Sequence, residues 1–123
     1  MYEIKIISQF AGAHKLRDFG GKCERLHGHN WKIEVYVTGE RLGKDGMLID
    51  FHMLKTATKK VLDELDHKFL NEIDYFKTLN PSSENIARFI FDSLSVDLNN
   101  ETAGVSRVVA WESDSACAAY MKS

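Results

Sequence analysis

Two cysteines, Cys23 and Cys117, and a single proline, Pro81, occur in the 123 residues. Two thiols are too few for a disulfide scaffold, so a reducing cytoplasmic setting is expected. One proline and 8 glycines exclude collagen-like and Pro/Gly-rich disordered chains. No apolar run approaches the roughly 20 residues of a membrane span. Met1 to Lys5 also lack the basic-then-apolar order of a secretory signal. Nor is there an excess of positive charge: 16 Lys and Arg stand against 18 Asp and Glu, a net −2. That balance argues against nucleic acid as a partner. What remains is 44% hydrophobic and 28% charged, the composition and length of one globular domain over residues 1–123.

Hydrophobic periodicity gives the elements. Tyr2, Ile4, Ile6, Phe10 and His14 alternate with Glu3, Lys5 and Gln9, so residues 2–14 read as a half-buried strand. His27, His29, Trp31, Ile33, Val35 and Val37 form one face of a second strand over 27–38, with a wet opposite side. Between them lies a glycine-bearing loop, too long for a tight hairpin. Residues 53–65 change to a helical period, with a stripe of Leu54, Ala57, Val61 and Leu65; His52, Lys55, Lys59 and Lys60 read as solvated helix surface. Pro81-Ser82-Ser83-Glu84 has the hydroxyl cap and first-turn acid of a second helix start. Residues 105–112 and 116–121 close the chain as two strands. The expected fold class is α+β: an antiparallel sheet in the order β-β-α-α-β-β with two helices on one face.

Three of the five histidines, His14, His27 and His29, fall on apolar-facing positions at adjoining strand ends. His27 and His29 are two apart and point the same way, and Gly28 between them permits a close backbone approach. Three neutral imidazoles meeting there suit Zn²⁺, with the fourth tetrahedral position left for water or substrate. Buried histidines with hydrogen-bonded ring nitrogens are the alternative; three on one face favour a metal.

Other residues carry weaker signals. Cys23, four before His27, reads as a fourth ligand, a base or nucleophile, or an inert small hydrophobe. Its neighbours Lys22, Glu24 and Arg25 argue against burial. Asp66-His67 reads as an acid–base dyad or as a polar helix terminus. Glu112 lies on the side of Val108 and Ala110, where a carboxylate needs a partner. One such partner is an amino-heterocycle offering two N–H donors; the alternative is a strand-end Glu in solvent or paired with Arg107 or Lys122. Cys117, among alanines, reads as packing. Lys15, Arg17 and Arg25 suit an anion by charge alone.

Taken together, Phe10-Ala11-Gly12-Ala13-His14, Cys23-Glu24-Arg25-Leu26-His27-Gly28-His29, Met47-Leu48-Ile49-Asp50-Phe51, Leu65-Asp66-His67, Pro81-Ser82-Ser83-Glu84-Asn85 and Trp111-Glu112 resemble the motifs of the 6-pyruvoyl-tetrahydropterin synthase family. The resemblance covers nearly the whole chain, in the family's order. It implies the tunnelling fold, assembly into homo-oligomeric rings such as hexamers, and active sites between subunits. It also implies 7,8-dihydroneopterin triphosphate as substrate. By the resemblance His14, His27 and His29 bind zinc and Cys23 accepts a proton. His67, oriented by Asp66, relays protons from a neighbouring subunit. Glu112 anchors the pterin's amino-pyrimidine edge, Ser82, Ser83 and Glu84 lie near the pterin, and Asp50-Phe51 is structural.

The Cys-x-x-x-His-Gly-His spacing matches the branch that forms 6-carboxy-5,6,7,8-tetrahydropterin for queuosine, releasing acetaldehyde and triphosphate. Glu24 matches instead a branch that cleaves the same substrate to 6-hydroxymethyl-7,8-dihydropterin for folate. Both residues are present, so cleavage through Glu24, alone or as a second activity, is the alternative. A zinc-binding assembly protein without catalysis is a third reading; Cys23, Asp66, His67 and Glu112 together count against it.

Overall fold

A computed structural model describes residues 1–17 and 25–123 of the chain. Cys23 and Glu24 therefore lie outside the described residues. Strands β1 (Tyr2–His14) and β2 (His27–Gly39) pair antiparallel over their full length, from Tyr2 opposite Gly39 to His14 opposite His27. Helix α1 (Phe51–Leu62) follows, then a two-residue strand β3 (Lys68–Phe69) and two short 3-10 turns. Helix α2 (Ser83–Leu98) leads into β4 (Ala103–Ser113) and β5 (Ala116–Met121). The sheet order is β3-β1-β2-β4-β5.

The expected β-β-α-α-β-β order holds, with one addition. β3 pairs parallel to β1, with Gly12 opposite Lys68 and Ala13 opposite Phe69. Two residues carry no period, so no pattern could reveal it. The helix expected over 53–65 starts and stops earlier. Asp50 is its N-cap, accepting a hydrogen bond from the His52 N–H at 2.8 Å, so this residue has the structural role expected of it. Leu65 is buried, but in the turn beyond the helix. Ser82 caps α2 by accepting from the Asn85 N–H at 3.2 Å.

One apolar core lies between the sheet and the two helices. Ile6, Phe10, Trp31, Ile33, Val35 and Val108 from the strands meet Leu54, Val61, Ile86, Ile90 and Leu94 from the helices. Each such side chain stabilises the fold by about 1.5–3 kcal/mol on burial. The helix surface at His52, Lys55, Lys59 and Lys60 is exposed, as expected. Cys117 is a correction: it is exposed on β5 and does not pack. Its alternation partners Ala119 and Met121 are exposed too, so this is the open side of an edge strand. Gly28 is a second correction. A Cβ there would meet nothing closer than the Gly12 carbonyl at 3.9 Å, whereas one at Gly12 would press on the Phe10 ring at 3.0 Å. Of these two glycines the crowded one is thus the one opposite His29. Among the described residues no helix is long and apolar enough to cross a membrane.

Candidate metal centre

The antiparallel register determines the site. His14 ends β1 directly opposite His27, the first residue of β2, and His29 follows on the same face. Trp31, the next core-facing residue of β2, is fully buried beneath them. Its ring meets those of His14 and His29 edge-on at centroid distances of 5.2 and 5.4 Å. A rigid aromatic floor and two long paired strands thus fix where the imidazoles sit. His14 itself is 1% exposed.

Two backbone carbonyls set the tautomers. His14 Nδ1 lies 2.7 Å from the Pro81 carbonyl and His27 Nδ1 lies 2.8 Å from the Arg25 carbonyl. A carbonyl only accepts, so both Nδ1 atoms carry protons and both Nε2 atoms present lone pairs. Yet those Nε2 atoms face each other at 3.1 Å. Two lone pairs at that distance repel unless a proton or a cation lies between them. Outer hydrogen bonds of this kind are what orient histidines toward a metal.

A fourth donor closes the group. Glu112 Oε1 lies 3.1 Å from His29 Nε2, 3.2 Å from His14 Nε2 and 3.9 Å from His27 Nε2. All four ligand atoms fall within 4.8 Å of one another. The edge of a tetrahedron around zinc with bonds of 2.0–2.1 Å is about 3.3 Å, so the donor set and its spacing fit such an ion. The three histidines expected from sequence are therefore brought together. The position expected to stay open is approached by Glu112, the carboxylate expected to hold a heterocycle.

Asp66 and His67 sit elsewhere. Asp66 Oδ1 accepts from the Ala11 N–H at 2.9 Å, and the His67 N–H donates to the Ala11 carbonyl at 2.6 Å. The turn is thus fastened to the β1 edge just before β3. His67 Nδ1 lies 2.9 Å from Asp66 Oδ2, and the His67 side chain is 82% exposed. Its φ of 57° is left-handed, a conformation that costs a non-glycine residue roughly 1–2 kcal/mol. The Ala11 N–H holds the Asp66 carboxyl below its ordinary value, outweighing the opposing desolvation, with His67 adding to the lowering. Beside the dyad lies an open depression of about 500 Å³ lined by Ala11, Ala13, Gly28, Asn30 and His67, with His29 contributing to the wall. Ala11, Ala13, Gly28 and Asn30 alternate with the histidine positions, so they belong to the opposite face of the sheet. Within one chain the dyad and the imidazole cluster are on different sides.

Ser82, Ser83 and Glu84 lie at the start of α2, next to Pro81, whose carbonyl holds His14. Sequence reasoning missed the residues that hold this corner together. Asn71 binds both the N–H and the carbonyl of Lys15, at 3.0 and 2.7 Å. Asn80 does the same for Arg17, at 2.8 and 2.9 Å. These contacts span 56 and 63 residues, and no local pattern announces them. Arg17 Nη2 donates to the Phe76 and Leu79 carbonyls at 2.6 and 2.9 Å, so its charge serves the fold where an anion contact was considered.

Known proteins resemble the chain throughout. The profile of the family described as 6-pyruvoyl tetrahydropterin synthase matches residues 3–123. A 6-carboxy-5,6,7,8-tetrahydropterin synthase of Haemophilus influenzae is 33% identical, covering 99% of this chain and all of that protein. A dihydroneopterin monophosphate aldolase of Pyrococcus furiosus is 38% identical over 85% of this chain and 84% of its own length. Among solved structures, 6-pyruvoyl tetrahydropterin synthase of Caenorhabditis elegans superposes with a TM-score of 0.85 at 26% identity, covering 99% of this chain and 96% of that one.

Proposed function

The chain belongs to the 6-pyruvoyl tetrahydropterin synthase family, and from that premise we propose that it is a zinc-dependent lyase of the cytoplasm. Its reaction converts 7,8-dihydroneopterin triphosphate, with one water, to 6-carboxy-5,6,7,8-tetrahydropterin, acetaldehyde and triphosphate, on the way to queuosine. The observation that carries this reading is the set of three imidazoles whose Nε2 atoms converge, two of them with tautomers set by backbone carbonyls. Its agreement over the full length with a relative of that activity adds support.

In this reading His14, His27 and His29 hold the ion, whose contribution is Lewis-acid activation of the substrate's side-chain oxygens. Cys23, as a thiolate, takes the proton from the adjacent carbon. His67 returns protons, with Asp66 fixing its Nδ1–H and leaving Nε2 to act. Because His67 lies across the sheet from its own imidazole cluster, the dyad serves the cluster of a neighbouring copy in a homo-oligomer, a hexamer in the family's usual form. Two carboxylates are candidates for the amino-pyrimidine edge. Glu112 Oε1 is engaged among the imidazoles. Glu84, exposed in the first turn of α2 beside Ser82 and Ser83, is the second.

A second reading is cleavage to 6-hydroxymethyl-7,8-dihydropterin through Glu24, favoured by the aldolase relative. The test is product identification by mass spectrometry after incubating the zinc-loaded protein with 7,8-dihydroneopterin triphosphate. Carboxy-tetrahydropterin, lost in C23S and kept in E24Q, supports the first reading. Hydroxymethyl-dihydropterin, lost in E24Q, supports the second. Retained zinc with no turnover overturns both.

A further inference from the structure

We propose that Lys68 is the cation that takes the phosphate tail of the substrate, at the depression beside the Asp66–His67 dyad. This rests on the substrate reading above and supplies the contact that reading leaves open. Lys68 is exposed on β3, immediately after His67. Other cations of the chain are engaged. Lys5 lies 3.1 Å from Glu34, Lys59 3.1 Å from Asp63 and Lys77 2.9 Å from Asp74. Arg17 is committed to the Phe76 and Leu79 carbonyls. Among the described residues no carboxylate lies within ion-pair distance of Lys68. Its near neighbour Asp66 turns one oxygen to the Ala11 N–H and the other to His67 Nδ1, each at 2.9 Å.

The chain places this charge where the tail must go. In 7,8-dihydroneopterin triphosphate the phosphate ester begins one carbon beyond the hydroxyl-bearing carbons at which His67 is proposed to act. The next residue along the chain, about 3.8 Å on, is within reach of the phosphates when His67 is at those carbons. β3 holds that residue firmly despite its length. Lys68 pairs with Gly12, the His67 N–H donates to the Ala11 carbonyl, and the Asn71 side chain binds both the N–H and the carbonyl of Lys15.

The surroundings suit an anion. His67 and Lys68 both line the depression of about 500 Å³, and Ala11, Ala13 and Gly28 line it with little side-chain bulk. Among the described residues no carboxylate lines it. A cation in a concave surface without negative neighbours concentrates anionic ligands, and lysine binds phosphate as a point charge. In the proposed oligomer the depression of one copy therefore takes the tail of a substrate whose reacting carbons lie at the next copy's imidazoles.

The fluorescence of neopterin and of neopterin triphosphate, titrated separately with the zinc-loaded protein, separates the tail from the ring. The wild type should bind the triphosphate more tightly than neopterin. K68A should bind the triphosphate at least about tenfold more weakly, with neopterin affinity and zinc content unchanged. K68R should keep the wild-type preference, and so should K60A, which removes a lysine from the exposed surface of α1. In turnover, K68A should raise KM and nearly keep kcat, the mark of lost uniform binding. The proposal is overturned if the wild type binds both ligands equally or if K68A keeps the preference. It is equally overturned if K68A loses neopterin as well, which makes the residue structural, or if K60A loses as much, which makes the effect one of net charge. A preference that depends on Lys68 in a protein that turns over neither substrate nor analogue would overturn the reaction reading and leave the subsite standing. If K68A fails to fold, K68M keeps the stem without the charge, and its contrast with K68R decides.

Discussion

The imidazole cluster and the Asp66–His67 dyad are built in opposite ways from the same strand. The cluster stands on two strands paired over thirteen residues each, above a buried indole, with the tautomers of His14 and His27 set by carbonyls. Nothing in its assembly requires a second molecule. The dyad is fastened to the β1 edge by two backbone hydrogen bonds, in a left-handed turn, and its imidazole is turned out to solvent. A general acid–base group gains nothing from such exposure unless something docks on it. In the proposed reading, binding the ion is thus a property of one folded chain, while moving protons is a property of two. Metal content and turnover should therefore come apart on mutation.

The largest effect should come from the cluster. H27A should lower bound zinc from about one per chain to a trace and remove turnover by about a thousandfold or more, since a Lewis acid supplies several kcal/mol. Metal analysis after dialysis, beside a rate measurement, checks both. H67A should keep its zinc yet lose about 10²- to 10⁴-fold in kcat, the range of general acid–base catalysis. Mixing these two inactive variants sharpens the contrast. If the site is shared between copies, random 1:1 reassembly should restore about one quarter of the wild-type rate, because half of the clusters and half of the dyads are intact. No recovery would return the dyad to its own chain and break the comparison.

Backbone and side chain at His67 can also be separated. H67G places the residue suited to φ 57° where a histidine is now strained. Thermal stability should hold or rise by up to about 1 kcal/mol, the entropic cost of glycine offsetting part of the relief. Activity should fall as far as in H67A. A turn conserving an unfavourable conformation for the sake of its imidazole behaves this way; a merely structural histidine would not.

Much of this was legible in the sequence. Period-two alternation located β1, β2 and the shared face of His14, His27 and His29, because side chains two apart in a strand must point together. The helical stripe of Leu54, Ala57, Val61 and Leu65 located α1, and the cap at Ser82 located α2. Three things were not legible. β3 is two residues long and owes its existence to the Asp66 turn. The clamps from Asn71 and Asn80 to the chain after β1 are contacts over 56 and 63 residues. The bulge at Glu112, where β4 takes two steps from Trp111 to Ser113 against one on β5 from Cys117 to Ala116, depends on the register with β5, which alternation alone does not fix. Hence Glu112 was expected to hold a heterocycle and was found among the imidazoles.

The smallest expected effect comes from a carboxylate that belongs to neither region. Glu34 faces the open side of the sheet, two strands from the dyad and on the other face from the cluster. It accepts from the Trp111 indole N–H at 2.7 Å and pairs with Lys5 at 3.1 Å. Burial opposes its ionisation, but the indole and Lys5 outweigh this and hold its carboxyl below the ordinary 4.5. A depressed carboxylate contributes stability that is full above the unfolded value and is lost as pH falls through the folded one. E34Q should therefore cost about 1 kcal/mol at neutral pH, half of that pair being exposed on Lys5. The gap from wild type should narrow as pH drops below 4.5, read from urea midpoints across an acid series.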